Sequence, residues 1–379
     1  MVAIDSYAGG DGRLSPLSTP SATRAVLEAH GIGTKYTLGQ NFLVNDDVLK
    51  KIVALAEVGE DDRILEVGPG IGTLTIALLK HAAGVVAIER DPDLPAVLAD
   101  TLHPWREKFA LIEKDALDVT RDDIVAAMVE IGGDTGYPDR ASSAANETAQ
   151  WAVSQSEDCL SESGYPVAPP QEDLQLSLPS KLVANLPYAV AATVVLDYFE
   201  SFPFLDSATI MVQKEVADRM AAAVGTKNYG AYTVKLGLYA EPVGRFAVGP
   251  GNFFPPPRVD SAVIRLNRRV PLMADGAPAS PEVIAAAALM ADAAFTNRRK
   301  TIANSCKTYF SGRGPISLGA GPSAQEGAPG IVLLDGAAIA ARLAAIFEAA
   351  AIDSRRRGET LTQQEFLALG AALLKVTAA

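Results

Sequence analysis

The chain has 379 residues, 49% of them hydrophobic and 21% charged, the balance of a globular protein with room for two or three domains. Its two cysteines, Cys159 and Cys306, show neither paired nor metal-ligand spacing, which excludes a disulfide framework and a zinc site, leaves no metal expected and fits a reducing cytoplasm. The net charge of −12 speaks at face value against a polyanionic partner.

Residues 1–25 are rich in Gly, Ser, Pro and Thr without apolar periodicity and read as an unpacked, flexible tail. From Ile64 onward, β-type runs alternate with helical patterns: 63–67, then a helix over 74–80, then strands at 85–89 and 110–113. After an interruption the pattern resumes with a strand at 181–184, a helix over 191–199 and strands at 208–212 and 262–266. This is the βαβ signature of an α/β fold with a doubly wound parallel sheet, spanning about residues 26–270. The interruption, 131–178, is acidic, Gly/Ser/Pro-rich and aperiodic, and reads as a disordered or loosely packed insertion. Beyond 271 the chain turns Ala-rich, with helices expected over 281–295, 336–351 and 361–376 and a loop insertion at 312–330, which predicts a small all-α C-terminal domain. No basic-then-apolar leader opens the chain, and its most apolar late stretch is broken by Arg342 and Glu348, so neither signal peptide nor membrane span is expected.

Charge is unevenly placed. Fourteen basic residues face seven acidic ones over 207–315, against two and eleven over 121–180, so the former stretch is predicted to meet a nucleic-acid backbone.

Glu66-Val-Gly68-Pro-Gly70-Ile-Gly72 follows a strand and precedes a helix, where glycines permit a tight turn and a close approach of backbone to ligand. The Gly-x-Gly-x-Gly spacing differs from that of dinucleotide enzymes and disfavours NAD. Glu89 ends the second strand, placed to accept both hydroxyls of an adenosine ribose. Asp115, just past the third strand, is placed to accept from an adenine amino group, with Ala116-Leu117 as an apolar wall. Acids and glycines at the carboxyl ends of three consecutive strands mark the ligand edge of an open α/β sheet.

Asn185-Leu186-Pro187-Tyr188 closes the fourth strand on that same edge. An exocyclic adenine amine is a poor nucleophile because its lone pair is delocalised into the ring. Methyl transfer to it therefore requires acceptors that hold its hydrogens and turn the pair toward the donor. The Asn185 side-chain oxygen and the Leu186 carbonyl suit that part, Pro187 stiffens the loop and Tyr188 offers a stacking face for an extruded base. No strong general base is required, since the amine can shed its proton after transfer.

These motifs, with Leu38-Gly-Gln-Asn-Phe-Leu43, Gln213-Lys-Glu-Val216, Phe253-Phe-Pro-Pro-Pro-Arg-Val-Asp-Ser-Ala-Val263 and Phe295-Thr-Asn-Arg-Arg-Lys-Thr301, stand in an order that resembles the ribosomal RNA adenine dimethyltransferases, in particular their bacterial small-subunit branch. The resemblance implies a class I, Rossmann-like methyltransferase domain with a helical C-terminal domain. It also implies an S-adenosyl-L-methionine cofactor contacted by Asn41, Leu43, Gly68, Glu89, Asp115 and Asn185. By the same resemblance, Tyr188 and Phe253 sandwich the target adenine, while Arg258, Arg298, Arg299 and Lys300 contact RNA phosphates. The implied activity is N6,N6-dimethylation of two adjacent adenines in the 3′-terminal hairpin of 16S ribosomal RNA, by a cytoplasmic monomer acting on the immature 30S particle during ribosome biogenesis. The insertions at 131–178 and 312–330 and the long tail depart from the family pattern without touching a motif. Two rivals share the cofactor site: a large-subunit RNA methylase conferring antibiotic resistance, and a mainly non-catalytic assembly checkpoint. The Phe-Phe-Pro-Pro-Pro and Asn-Arg-Arg-Lys-Thr runs lean against the first, and the intact Glu89, Asp115 and Asn185 set against the second.

Overall fold

The computed structural model describes residues 12–32, 41–132, 178–311, 316–317, 330–331 and 337–378. In chain order the elements are α1 (Pro20–Ala29), β1 (Phe42–Leu43), α2 (Asp46–Ala56), β2 (Arg63–Val67), α3 (Thr73–Leu79), β3 (Gly84–Ile88), α4 (Leu94–Thr101), β4 (Phe109–Ile112) and α5 (Arg121–Gly132). There follow β5 (Lys181–Asn185), α6 (Ala191–Ser201), β6 (Ser207–Gln213), α7 (Lys214–Met220), α8 (Ala231–Gly237), β7 (Ala240–Val248), β8 (Phe253–Phe254) and β9 (Ser261–Arg268). The chain ends with α9 (Pro281–Phe295), α10 (Ile302–Phe310), β10 (Ile316–Ser317), β11 (Gly330–Ile331), α11 (Ala337–Ala349) and α12 (Gln363–Ala378).

One seven-stranded sheet orders its strands β4-β3-β2-β5-β6-β9-β7. β2 through β6 pair in parallel, and β9 runs antiparallel to both β6 and β7. The central strands are near-continuous apolar runs because both faces are covered. Alternate residues serve the two faces: Leu65, Val86 and Leu182 join one core with α5 and α6, while Ile64, Val85 and Val183 join another with α2, α3 and α4. The strand order reverses between β2 and β5, and there the loops leaving the two carboxyl ends diverge to opposite sides and leave a crevice.

Three expectations change. Residues 12–25 are not a flexible tail: Ser15 and Leu17 are fully buried, and the Asp46 carboxylate accepts from the Leu14 and Ser15 N–H groups at 2.8 and 3.2 Å. The Ser-Pro-Leu-Ser-Thr composition that suggested disorder forms a turn and a cap, with the Thr19 hydroxyl accepting from Ala22 N–H to start α1 and Pro20 in its first turn. Thr23, Val26 and Leu27 then share one buried helix face. The 131–178 insertion lies almost entirely outside the described residues, as does most of 312–330; in the latter, expected to be a loop insertion, β10 pairs with β11 as a short antiparallel ribbon. Finally, the core of the C-terminal helices draws on Tyr229 and Val234, upstream of β7, and the Tyr229 hydroxyl donates to the Leu361 carbonyl at 2.8 Å. The helical packing unit therefore reaches back across the 270/271 boundary. β7 itself gave no clear signal, because Glu241-Pro-Val-Gly244 reads as a turn; an edge strand with a register shift at Pro242 tolerates it.

Candidate active site

A cavity of about 540 Å³ opens at the switch point, within the size range of small-molecule sites. Its walls carry Asn41, Leu43, Gly68, Glu89, Asp115, Asn185, Leu186, Pro187 and Tyr188, so the fold brings every expected cofactor residue to one cavity together with the whole tetrapeptide. Of the motif before β1, Leu38, Gly39 and Gln40 lie outside the described residues.

The glycine loop is shaped by what faces it. Gly68 and Gly70 hold φ at +70° and +61°, and a Cβ on Gly70 would sit 3.1 Å from the Phe42 ring. A side chain at Gly70 would thus be strained in backbone and crowded in space. A Cβ on Gly68 would face Pro187 at 3.5 Å, which shows how closely the loops after β2 and β5 approach each other. The parallel ladder continues into both acid-bearing loops: Gly68 N–H donates to the Ile88 carbonyl at 2.9 Å and Glu89 N–H to the Ile112 carbonyl at 3.0 Å. The ligand-facing backbone is therefore anchored to the neighbouring strands at Gly68 and Glu89.

Glu89 is 8% exposed, and its Oε1 accepts from the Arg90 and Asp91 N–H groups, both at 2.9 Å. Burial raises its pKa, and those backbone donors oppose the rise. The Gly70 N–H is a third such donor, so the glycine loop and the acid that line the cavity are tied to each other. Asp115 is more occupied than its sequence position suggests: Oδ1 accepts from Leu117 N–H at 3.1 Å and Oδ2 meets Arg90 Nη1 at 2.8 Å. Arg90, unassigned in the sequence, thus spans the two acids along the cavity rim.

Glu66 is the residue that motif reading passed over, although it opens the glycine run. It is 1% exposed, lines the cavity, and its Oε2 has no hydrogen-bond partner. Burial, with the nearby Glu89 charge adding to it, pushes its pKa up to about 8, so the carboxyl is mostly protonated at neutral pH. A neutral acid beside an ionisable one offers a donor and an acceptor in the same cavity.

At the tetrapeptide, Asn185 Nδ2 donates to the Asn41 carbonyl at 3.1 Å, which commits the donor half of the amide and leaves Oδ1 as the acceptor. The Pro187 carbonyl is taken by the N–H groups of Val190 and Ala191 at 3.2 and 3.1 Å, and Leu186 N–H is anchored on the Met211 carbonyl at 3.1 Å. The Leu186 carbonyl has no such backbone donor among the described residues. Tyr188 is half-buried, and its hydroxyl shares a 2.6 Å hydrogen bond with Ser261, which is itself fully buried. Burial raises the Tyr188 pKa, so the ring is a neutral phenol.

Phe253 departs from expectation. It is 4% exposed, sits in the core with Phe42 and Val263, and does not reach the cavity wall, although its register partner Leu43 does. The basic stretch also differs from its charge count. Arg298 is held by Glu359 at 2.7 Å and the Thr226 carbonyl at 2.9 Å, while Arg268 caps three carbonyls, those of Phe199, Phe202 and Leu205. Arg265 reaches the Leu55 carbonyl, and Lys214, Arg219, Lys235 and Arg245 pair with acids. Arg258, Arg299 and Lys300 are exposed.

Comparison with known proteins agrees with this geometry. Residues 33–314 match the ribosomal RNA adenine dimethylase family. The chain is 32% identical to a ribosomal RNA small subunit methyltransferase A of Corynebacterium jeikeium, covering 94% of this chain and 96% of that protein. It is 33% identical to one of Enterococcus faecalis, with 95% and 97% covered. Among solved structures, a dimethyladenosine transferase from Plasmodium falciparum superposes with a TM-score of 0.56 at 19% identity, covering 88% of this chain and 98% of that one, and so shares its fold. The ordered run of motifs, the cavity they line and the match over most of the length give one conclusion: the chain belongs to the ribosomal RNA adenine dimethylase family.

Proposed function

We propose that this protein transfers methyl groups from S-adenosyl-L-methionine to the N6 amine of adenine, twice per base, on two adjacent adenines in the 3′-terminal hairpin of small-subunit ribosomal RNA. The observation that carries this reading is the Asn185 amide: its N–H₂ is tied to the Asn41 backbone, so its oxygen is aimed as an acceptor into the same cavity that Gly68 and Glu89 line. A full-length likeness to proteins named for small-subunit RNA methylation supports the substrate class.

The cavity suits an adenosyl cofactor. Glu89 lines the cavity where a ribose would present its hydroxyls, the positive φ of Gly68 and Gly70 turns the loop tightly beneath the ligand, and Asp115 with Ala116 borders the adenine end. Bound there, S-adenosylmethionine would supply an electrophilic methyl carbon for the amine nitrogen, with the neutral thioether as leaving group. Asn185 Oδ1 and the Leu186 carbonyl accept the two amine hydrogens, which draws the nitrogen lone pair out of conjugation and points it into the cavity. Tyr188 stacks on the base, its ring plane set by Ser261. After the first transfer a single N–H remains for one acceptor, so the same frame accepts the monomethylated base. The proton shed at each transfer needs no dedicated base. The protein works as a monomer on the immature small subunit in the cytoplasm; no helix among the described residues is long and apolar enough to cross a membrane.

Mass-spectrometric measurement of N6,N6-dimethyladenine in small-subunit RNA, from cells with and without the gene, tests this directly. The modification should vanish from the hairpin on deletion and return with the wild-type gene. Persistence of both dimethyladenines in the deletion strain would refute the assignment.

A further inference from the structure

The N-terminal segment, expected to be loose, is anchored next to the active site, and this raises the question of what it does there. Beside the Asp46 bonds to Leu14 and Ser15, Lys80 Nζ donates to the Arg13 carbonyl at 2.9 Å, and Val26 and Leu27 are each 4% exposed. These contacts seat α1 against β8. Arg24, exposed on α1, places its guanidinium 5.3 Å from the centre of the Phe254 ring. Phe254 is in register with Phe42, whose ring meets Gly70 of the cofactor loop. A cation on the protein surface is thus linked through two paired aromatic residues to the cofactor cavity.

Arg24 makes no ion pair among the described residues, in contrast to Arg219, Arg245, Arg265 and Arg298 of the 207–315 stretch. Stacking on Phe254 uses the face of its guanidinium and leaves the N–H edge free, the arrangement that suits a phosphate oxygen. The loop that follows Phe254 exposes Pro256, Arg258 and, at 44%, Val259. Two arginines without acid partners therefore flank an exposed apolar loop whose first strand, β8, pairs with the cavity-lining β1. Cations for phosphates interleaved with apolar surface for sugar and base fit a nucleic-acid strand entering the site.

We propose that α1 is part of the RNA-docking surface and that Arg24, held in orientation by Phe254, contacts a backbone phosphate of the substrate strand. The proposal rests on the RNA-methylating function given above. Its test is the salt dependence of binding of the full-length protein to a small-subunit 3′-terminal hairpin RNA. Arg24→Gln should weaken binding roughly three- to tenfold and flatten the slope of log K against log salt by about 0.7–0.9, the loss of one phosphate contact. Arg24→Lys should keep the slope, since the charge remains, and both variants should bind S-adenosylmethionine as wild type does. Arg106→Gln, removing an exposed cation from the turn before β4, should leave the slope unchanged. An unchanged slope in Arg24→Gln, or an equal flattening in Arg106→Gln, overturns the assignment of α1. Methylation by the wild-type protein separates the two readings: absent methylation removes the function itself, whereas normal methylation with an unmoved slope removes only the role of Arg24.

Discussion

The cofactor side of this molecule and its RNA side use charge in different ways. At the carboxyl ends of β2, β3 and β4, the acids lie in short motifs and all turn into one cavity, so a residue's place in its motif predicts its surroundings. Across 207–315, cations that look alike in sequence divide by what they touch: Arg268 is spent on carbonyls and Arg298 on Glu359, while Arg258, Arg299 and Lys300 stay exposed. Acids at the ligand edge are gathered by the switch point into one cavity, whereas each cation of 207–315, on strand, helix or loop, is satisfied only by whatever packs beside it.

Five measurements sharpen or break that contrast. The largest effect belongs to Asn185→Ala, which should lower the methylation rate by roughly 10²–10³-fold while changing cofactor affinity far less, because the lost acceptor orients the amine. Isothermal titration beside a methyl-transfer assay separates the two; a parallel loss of cofactor binding would move Asn185 to the cofactor side. Glu89→Gln should weaken S-adenosylmethionine binding by about 10–100-fold, as expected for hydrogen bonds to a charged acceptor, with RNA affinity unchanged.

Glu66 gives a pH signature. Its pKa is raised in the folded state to about 8, so the folded protein holds that proton more tightly than the unfolded chain. The associated stability is fully present below the unfolded carboxylate range and is lost as pH rises toward 8. Glu66→Gln should therefore match wild type near pH 4 and be more stable by roughly 2–4 kcal/mol at pH 7.5 in chemical denaturation. Equal stability at both pH values would mean the carboxyl is solvated or paired.

The smallest effect is expected of Arg298→Ala. Its pair with Glu359 is partly exposed, so the change should cost no more than about 1 kcal/mol and leave the salt slope of RNA binding in place. Arg299→Gln with Lys300→Gln should do the reverse, keeping stability and flattening the slope by about 1.5. If Arg298→Ala flattens the slope instead, its ion pair opens on RNA and the division drawn above fails.

Much of the fold was legible because strands buried on both faces read as short continuous apolar runs and the helices keep their apolar spacing. The runs at 63–67, 85–89, 181–184 and 208–212 are strands within a residue or two, and the helices at 281–295 and 191–199 follow their apolar patterns. Edges and caps were less legible. Ser15 to Thr19 looks like linker and serves as turn and cap, and β7 is an edge strand whose Pro242 and Gly244 resemble a turn.

Taken alone, the sequence determined the α/β class, the glycine loop, the acids at the strand ends and the Asn-Leu-Pro-Tyr motif, because each depends on local backbone conformation or on spacing along one strand. Only the tertiary structure decided that Phe253 turns inward while Phe254 carries Arg24, that Arg298 is a structural cation, that Glu66 is neutral at pH 7, and that the N-terminal segment docks beside the active site. Each of these depends on which distant groups desolvate or pair with a side chain, and that is set by packing between elements far apart in the chain.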